Sequence, residues 1–155
     1  VTHDQAEAVA LADRIALLLD GRLAQHDTPE AFYRRPATRA VARFFGGVNF
    51  IPGTARASTF DCAIGTLMLP PGLAEGPGLL MIRPEAVLLG QGPNGRTARI
   101  EAVTFLGTQT RVDVSLSGIS LQALTFPNAA SALRPGSEIA ISLPPEALWL
   151  LPPEG

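Results

Sequence analysis

The hydrophobic and polar positions along this chain follow two different patterns, and the pattern changes at Gly46-Gly47. Before the two glycines, three short segments have helical character, and an apolar run over residues 14–19 is typical of a buried strand. After them, Pro and Gly become frequent, and short apolar runs alternate with turn residues. The pattern predicts a small α/β segment followed by a domain built mainly from β-strands.

Capping residues and one turn signal set the elements of the first part. Asp4 can cap a helix that runs to residue 13, because Glu7 stands three residues further on as a capping-box partner. Asp20-Gly21 predicts a two-residue hairpin turn between two short strands. Two further helices follow, each preceded by a threonine that can cap it: Thr28 and Thr38.

Residues 47–155 predict a small barrel of many short strands. In the clearest of them, Thr110–Leu116, every second residue is polar, as expected of a half-buried strand. Ser117-Gly118 then supplies a hairpin turn into the next strand. Short strands at such regular spacing are typical of a closed barrel. We predict that Phe105 and Trp149 lie in its core.

Two Pro-Glu-Ala sequences, at residues 84–86 and 145–147, stand in similar surroundings. Each follows an apolar strand and precedes another apolar segment. The similarity is too short to be a repeat, so we interpret the two sequences as similar corners of the barrel. Their carboxylates, Glu85 and Glu146, are predicted to accept hydrogen bonds from backbone amides.

Composition narrows the possible functions. Apolar residues make up 46% and charged residues 17% of the chain, which is enough for a core and untypical of disorder. The formal charge of −2, without a basic stripe, argues against nucleic acid as a partner. Cys62 is the single cysteine, so neither an intramolecular disulfide nor a cysteine metal cluster can form. These features predict a cytoplasmic protein.

His3 is the residue with the most specific sequence context. It stands directly before Asp4, at the mouth of a helix N-terminus, where backbone N–H groups favour phosphates. Thr2–Ala8 and Leu11–Ile15 together resemble the switch-histidine region of ABC-transporter ATP-binding subunits. The resemblance continues through further stretches at fixed spacing: Asp20–Gln25, Thr28–Tyr33, Arg35-Pro36, Val41–Gly46 and Asn49. It is closest to the subfamily of maltose, sulfate, iron(III) and polyamine importers.

The second part resembles the TOBE domain at the C-terminal end of the same importer subunits. Three motifs carry this resemblance: Ile82–Glu85, Val103–Gly107 and Leu133–Glu138. The resemblance implies an OB-like barrel with a regulatory or dimerising role over residues 47–155, and an ATPase-domain remnant over residues 1–46. Arg83 and Glu85 are its candidate regulatory or structural residues, and an ion pair with a nearby carboxylate is the predicted role of Arg83.

The resemblance also implies a role for the parent protein. In such a parent, two copies would bind ATP and Mg, and His3 would be the catalytic residue that contacts the γ-phosphate. Transmembrane permease subunits and an external solute-binding protein would be its partners at the inner face of the membrane, with iron(III) or a polyamine as cargo. The chain has no G-x-x-x-x-G-K-[ST] phosphate loop, so we predict an inactive fragment that binds neither nucleotide nor metal.

One alternative function and one question of packing remain open at this stage. TOBE-type modules also bind small oxyanions such as molybdate, and hydroxyls are available for this on Thr108, Thr110, Ser115, Ser117 and Ser120. The apolar side chains of the predicted hairpin also need cover. We predict that a second copy supplies this cover for Ile15, Leu17, Leu19 and Leu23, giving a homodimer.

Overall fold

The computed structural model of the protein describes residues 1–153. The first part contains a helix, a hairpin and two short helices: α1 (Gln5–Leu11), β1 (Ile15–Leu19), β2 (Arg22–Asp27), α2 (Pro29–Arg34) and α3 (Arg39–Phe44). The strands that follow are β3 (Asn49–Arg56), β4 (Thr59–Cys62), β5 (Gly65–Met68), β6 (Gly76–Ile82), β7 (Leu88–Leu89), β8 (Arg96–Phe105), β9 (Thr110–Leu116), β10 (Ile119–Thr125), β11 (Glu138–Ser142) and β12 (Trp149–Leu151), with a short helix α4 (Pro127–Ala130) before β11. The mainly β architecture confirms the predicted fold class.

The predicted caps are present at the three N-terminal helices. The Asp4 carboxylate accepts a hydrogen bond from the Glu7 amide at 3.0 Å, and two threonine hydroxyls act in the same way for α2 and α3. Helix α1 ends two residues earlier than predicted, because Ala12 is extended with φ −88° and ψ 141°. Strands β1 and β2 pair antiparallel across Asp20-Gly21, where both residues have positive φ, as a tight hairpin turn requires.

Two of the four apolar side chains for which a second copy was expected to supply cover, Ile15 and Leu17, are covered from within the chain. Ile15 and Leu17 are buried against a cluster that α2 and α3 supply with Phe32, Val41 and Phe45. The reason is that both helices fold back onto one face of the hairpin. Leu23, by contrast, is 60% exposed, and Leu19 is only partly buried.

The two glycines after α3 form a tight end to that helix. Gly46 has φ +86°, which glycine adopts without strain. The Gly47 amide donates to the Ala42 carbonyl at 2.8 Å, and a Cβ on Gly47 would come equally close to that oxygen. The chain therefore passes from α3 into β3 through a packed turn.

Two antiparallel sheets curl around one core to form the barrel. Their strand orders are β10-β9-β8-β11-β7 and β12-β6-β3-β4-β5. The core between them contains fully buried side chains from both sheets: Ile51, Phe60, Leu67, Leu80, Ile100, Leu121 and Ile141. Burying side chains of this size from both faces supplies the main stabilisation of the domain.

Side-chain hydrogen bonds link the two sheets at their two lines of contact, which we call the seams of the barrel. Asn49 of β3 donates to the Gln122 carbonyl at 2.8 Å and accepts from the Gln122 amide at 2.7 Å, as a neighbouring strand would. At the opposite seam, Asn94 pairs in the same way with the backbone of Met68 in β5. Arg96 adds a 2.7 Å hydrogen bond to the Ile64 carbonyl. Gln122 in edge strand β10 and Met68 in edge strand β5 therefore have backbone hydrogen-bond partners outside their own sheets.

Several predicted details of the barrel are wrong. Phe105, predicted to be a core residue, is 71% exposed, because it ends β8 beside a loop. Trp149 is only partly buried, in a smaller cluster with Leu79, Met81 and Leu151. The apolar segments after the two Pro-Glu-Ala sequences form only the short strands β7 and β12, since each Pro-Glu-Ala sequence forms a 3₁₀ turn first. Helix α4 was not predicted.

Candidate functional site

A cleft of about 830 Å³ lies where the first part of the chain meets the barrel. One wall is α2, and the others are the loop after β5 and the two Pro-Glu-Ala corners, which we call corner 1 (Pro84–Ala86) and corner 2 (Pro145–Ala147). Both corners thus face the same space, in agreement with their predicted similarity. Six charged side chains line this junction cleft: Glu30, Arg34, Arg35, Arg83, Glu85 and Glu146.

Arg83 connects the barrel to the ends of two helices. It is 6% exposed and follows β6, directly before corner 1. Its Nε donates to the Tyr33 carbonyl at 3.0 Å, and its Nη1 donates to the Phe45 carbonyl at 2.5 Å. The last carbonyls of a helix have no partner within the helix, and a cation nearby is favourable. Arg83 therefore satisfies the ends of α2 and α3 together.

Tyr33 and Glu85 complete this arrangement. The guanidinium carbon of Arg83 lies 3.7 Å from the centroid of the Tyr33 ring, a cation–π contact. The Tyr33 hydroxyl donates a hydrogen bond to the Glu85 carboxylate. Where the sequence predicted an ion pair for Arg83 and backbone amides for Glu85, the structure shows backbone carbonyls for Arg83 and a phenol for Glu85.

Burial shifts the pKa values of two of these groups. Partial burial raises the pKa of Tyr33, and the hydrogen bond to Glu85 raises it further. Burial lowers the pKa of Arg83 from its ordinary value, while the nearby Tyr33 and Glu85 act in the opposite direction. The raised pKa keeps the Tyr33 phenol protonated at neutral pH, so that it can donate to Glu85.

Trp149 forms a second connection between the barrel and the first part. Its indole Nε1 donates to the Pro36 carbonyl at 3.0 Å, across 113 positions of sequence. Sequence reasoning missed this role, although a tryptophan near the surface usually needs a partner for its N–H. Together, Arg83 and Trp149 donate to three carbonyls, one in α2 and two between α2 and β3.

Polar groups in the junction cleft remain without a partner. The Nη2 atom of Arg83 is buried and has no hydrogen-bond partner within residues 1–153. The exposed side chains of Arg35 and Glu146 form no hydrogen bond or ion pair in the same described residues, whereas Arg34 pairs with Glu30 at 3.0 Å. The exposed charges that line the cleft without a partner are thus one positive, Arg35, and one negative, Glu146.

The structure does not bring the other predicted site residues to this cleft. His3 is exposed and precedes α1, where the Asp4 amide donates to the Thr2 hydroxyl. The hydroxyls considered for oxyanion binding do not line the cleft; Thr110 is buried in β9, and Ser115 donates to Glu101 at 2.5 Å. In the part of the chain that the structure describes, no three His, Cys, Asp or Glu side chains gather in a way that could hold a metal ion. None of the helices within residues 1–153 is long and apolar enough to cross a membrane.

Comparison with known proteins finds a family match for the later part of the barrel. Residues 80–151, which include Arg83, both corners and Trp149, match the model of the TOBE domain. Among solved structures, the molybdate-binding protein ModG, with molybdate bound, superposes with a TM-score of 0.61 at 17% sequence identity. The match covers 70% of this chain and 98% of ModG, and it shows that the fold is the OB-like barrel of such domains.

Curated relatives extend the similarity beyond the barrel. An Fe(3+) import ATP-binding protein of Streptomyces avermitilis is 42% identical over 72% of this chain and 32% of its own length. A sulfate/thiosulfate import ATP-binding protein of Chromobacterium violaceum is 36% identical over 99% of the chain and 45% of its own length. A spermidine/putrescine import ATP-binding protein of Pseudomonas fluorescens is 33% identical over 97% of the chain and 45% of its own length.

The chain therefore contains a TOBE domain and is homologous, over most of its length, to the ATP-binding subunits of ABC importers. It spans less than half the length of the relatives it matches.

Proposed function

We propose that this chain is the C-terminal part of the ATP-binding subunit of an ABC importer. Residues 1–46 would be the end of the ATPase domain, and residues 47–155 would be a regulatory TOBE domain. The observation that carries the proposal is the extent of the similarity, which reaches 97–99% of the chain in relatives that import different solutes. A TOBE domain alone would match only the barrel.

The contacts at the junction support a regulatory role for the barrel. Arg83 and Trp149 donate to the carbonyls of Tyr33, Pro36 and Phe45, so the barrel and the short helices are held in one orientation. In a complete subunit, a movement of the barrel would therefore reach the ATPase domain through α2 and α3. If the parent forms a homodimer through its barrels, a change at that contact would reach α2 and α3 through the same hydrogen bonds of Arg83 and Trp149.

The residues of this chain do not by themselves fit ATP and Mg. A phosphate loop is absent from the sequence, and only His3 corresponds to a residue of the ATP site. We therefore propose that the chain alone binds no nucleotide, and that His3 acts only beside the remainder of an ATPase domain. There an imidazole N–H can stabilise charge that develops on the γ-phosphate.

The experiment that tests this function uses the complete gene product. A phosphate loop encoded in frame upstream is the first expected result, and its absence would contradict the proposal. In that product, His3→Ala should lower ATP hydrolysis strongly, since one preorganised donor is worth about a hundredfold or more in rate. His26→Ala is the matched control, because His26 is an exposed histidine of the hairpin. Equal hydrolysis rates in the two variants would refute the role of His3.

The partners and cargo follow from the same proposal. Permease subunits at the inner face of the membrane and an external solute-binding protein would complete the importer. Iron(III) or a polyamine is the proposed cargo, since relatives named for both are similar to this chain. Uptake of labelled iron(III) and spermidine, measured with and without the gene, distinguishes the two. Loss of sulfate uptake instead would contradict this choice.

An alternative function is the binding of a small oxyanion by the barrel itself. Its support is the similarity in fold to a protein that holds molybdate. Isothermal titration of the chain with molybdate, tungstate and sulfate tests it. Saturable binding of molybdate would favour this alternative, and the absence of heat would leave the importer subunit as the proposed function.

A further inference from the structure

We propose that Asn94 is a site of spontaneous covalent modification, at which the side-chain amide is lost through a cyclic imide formed with Gly95. The closed seam at Asn94 delays this deamidation, and the deamidated product can no longer close the seam. The reactants are the chain itself and water. The proposal rests on this part of the barrel alone and is independent of the importer function proposed above.

The sequence and exposure around Asn94 permit the reaction. The chain has three asparagines, Asn49, Asn94 and Asn128, and only Asn94 precedes a glycine. Glycine has no Cβ, so its backbone nitrogen can approach the preceding side chain with the least steric hindrance. Asn94 is only partly buried, and it lies in a turn with φ +52°. Water therefore has access to the place where the imide would form.

The reaction needs no reagent other than water. The backbone nitrogen of Gly95 forms a bond to Cγ of Asn94, and the bond from Cγ to Nδ2 breaks. Nδ2 leaves as ammonia together with the proton of the Gly95 N–H. Water then opens the five-membered ring at either carbonyl, which gives aspartate, or isoaspartate with the main chain running through Cγ.

In the folded chain, hydrogen bonds orient the Asn94 amide toward other strands. Its Oδ1 accepts from the Met68 amide at 2.8 Å, and its Nδ2 donates to the carbonyls of Met68 and Leu143, each at 2.9 Å. Met68 ends β5 in one sheet, and Leu143 follows β11 in the other. These bonds must break before Cγ can turn to the Gly95 nitrogen. Deamidation of the native protein therefore requires a local opening of the seam.

The modified side chain cannot close the seam again. A carboxylate has no hydrogen to donate, so both bonds from Nδ2 to the carbonyls of Met68 and Leu143 are lost. Only the bond from the Met68 amide can remain, and the new negative charge would lie beside two carbonyl oxygens. In the isoaspartate product, the main chain also gains a carbon, which shifts the carboxylate relative to β5.

The neighbouring cation cannot compensate without a further loss. Arg96 donates from Nε to the Ile64 carbonyl and from Nη2 to the Thr66 carbonyl, each at 2.7 Å. Its Nη1 donates to the Gly95 carbonyl at 2.9 Å. Turning this guanidinium toward a carboxylate at position 94 would break bonds that link β8 to β5. Deamidation therefore removes hydrogen bonds at the edge of β5 whichever way Arg96 turns.

Ageing of the whole chain at neutral pH, folded and in urea, tests the proposal. Mass spectrometry of its peptides detects the replacement of an amide by a carboxyl group at each asparagine. In urea, Asn94 should be modified before Asn49 and Asn128. In the folded chain, modification of Asn94 should be at least about tenfold slower, because three hydrogen bonds must break first. Equal rates at the three asparagines in urea, or equal rates for Asn94 in both states, would overturn the proposal.

The effect on the seam is tested with the aged protein and with two variants. Asn94→Asp reproduces one product, and Asn128→Asp places the same charge on an exposed position of α4 as the matched control. In urea unfolding, Asn94→Asp should lower the folded-to-unfolded ratio at least about tenfold more than the control does. The deamidated fraction of the aged wild type, separated by its additional negative charge, should show the same loss. Wild-type stability in that fraction, or equal losses in the two variants, would overturn the proposed opening of the seam.

Discussion

Replacing Asn49 would open one seam of the barrel. The side chain is 1% exposed and forms two hydrogen bonds, of 2.8 and 2.7 Å, with the backbone of Gln122 on the other sheet. Two such bonds contribute about 1 kcal/mol each, and leaving the Gln122 amide and carbonyl unsatisfied adds at least about 1 kcal/mol. Asn49→Ala should therefore lower the free energy of unfolding by about 3 kcal/mol.

Asn49→Asp separates hydrogen bonding from size. A carboxylate at this position can accept from the Gln122 amide but cannot donate to the Gln122 carbonyl, whereas a protonated carboxyl group can do both. The folded state should therefore raise the pKa of the new carboxyl above its unfolded value of about 3.9. Its stabilising contribution is present below that unfolded value and is lost as the pH rises through the folded one.

Urea unfolding followed by Trp149 fluorescence measures both effects, with Asn128→Ala as an exposed asparagine control. We expect Asn49→Asp to approach wild-type stability at acid pH and to lose it near neutrality. A cost of Asn49→Asp that is the same at every pH would refute the pairing with Gln122. So would an Asn49→Ala variant within about 0.5 kcal/mol of the control.

Three further predictions concern the junction. Arg83→Met should lower the free energy of unfolding, measured by thermal unfolding, by about 2 kcal/mol, because it leaves two helix-end carbonyls without a donor. The control is Arg34→Met, and an equal loss in both variants would contradict this prediction. Trp149→Phe should cost about 1 kcal/mol by circular dichroism through the lost hydrogen bond to Pro36, and no cost would count against that bond. Tyr33 is the single tyrosine, so absorbance titration should give a pKa above 10.0 that Glu85→Gln lowers. Because the folded value is raised, wild type should lose stability relative to Tyr33→Phe as the pH rises through it, and parallel pH curves would refute this.

Local signals in the sequence were sufficient for much of the fold. Asp4, Thr28 and Thr38 cap their helices as predicted, because a cap depends only on residues three positions away. The hairpin turn at Asp20-Gly21 and the alternation in Thr110–Leu116 are local in the same sense. Phe105 was wrongly predicted as core, since an apolar residue at a strand end carries no signal of which side it faces.

The candidate site could be predicted only in part. Arg83 and Glu85 were identified from a motif, and their partners lie 38 to 52 positions away in the first part of the chain. The partner of Trp149 lies 113 positions away. Contacts between residues so far apart in sequence depend on how the barrel packs against α2. No pattern of neighbouring residues predicts that packing. The unused Nη2 atom of Arg83 became visible only once that docking was known.

The packed turn at Gly46-Gly47 changes how motion between the two parts should be pictured. A pair of glycines suggests a hinge, yet the Gly47 amide is bonded to Ala42, and any side chain on Gly47 would collide with the end of α3. From the barrel, Arg83 donates to Phe45 directly before this turn, and Trp149 donates to Pro36 between α2 and α3. A rotation of the barrel would therefore carry α2 and α3 with it as one rigid body. The hairpin that packs against these two helices would move with them.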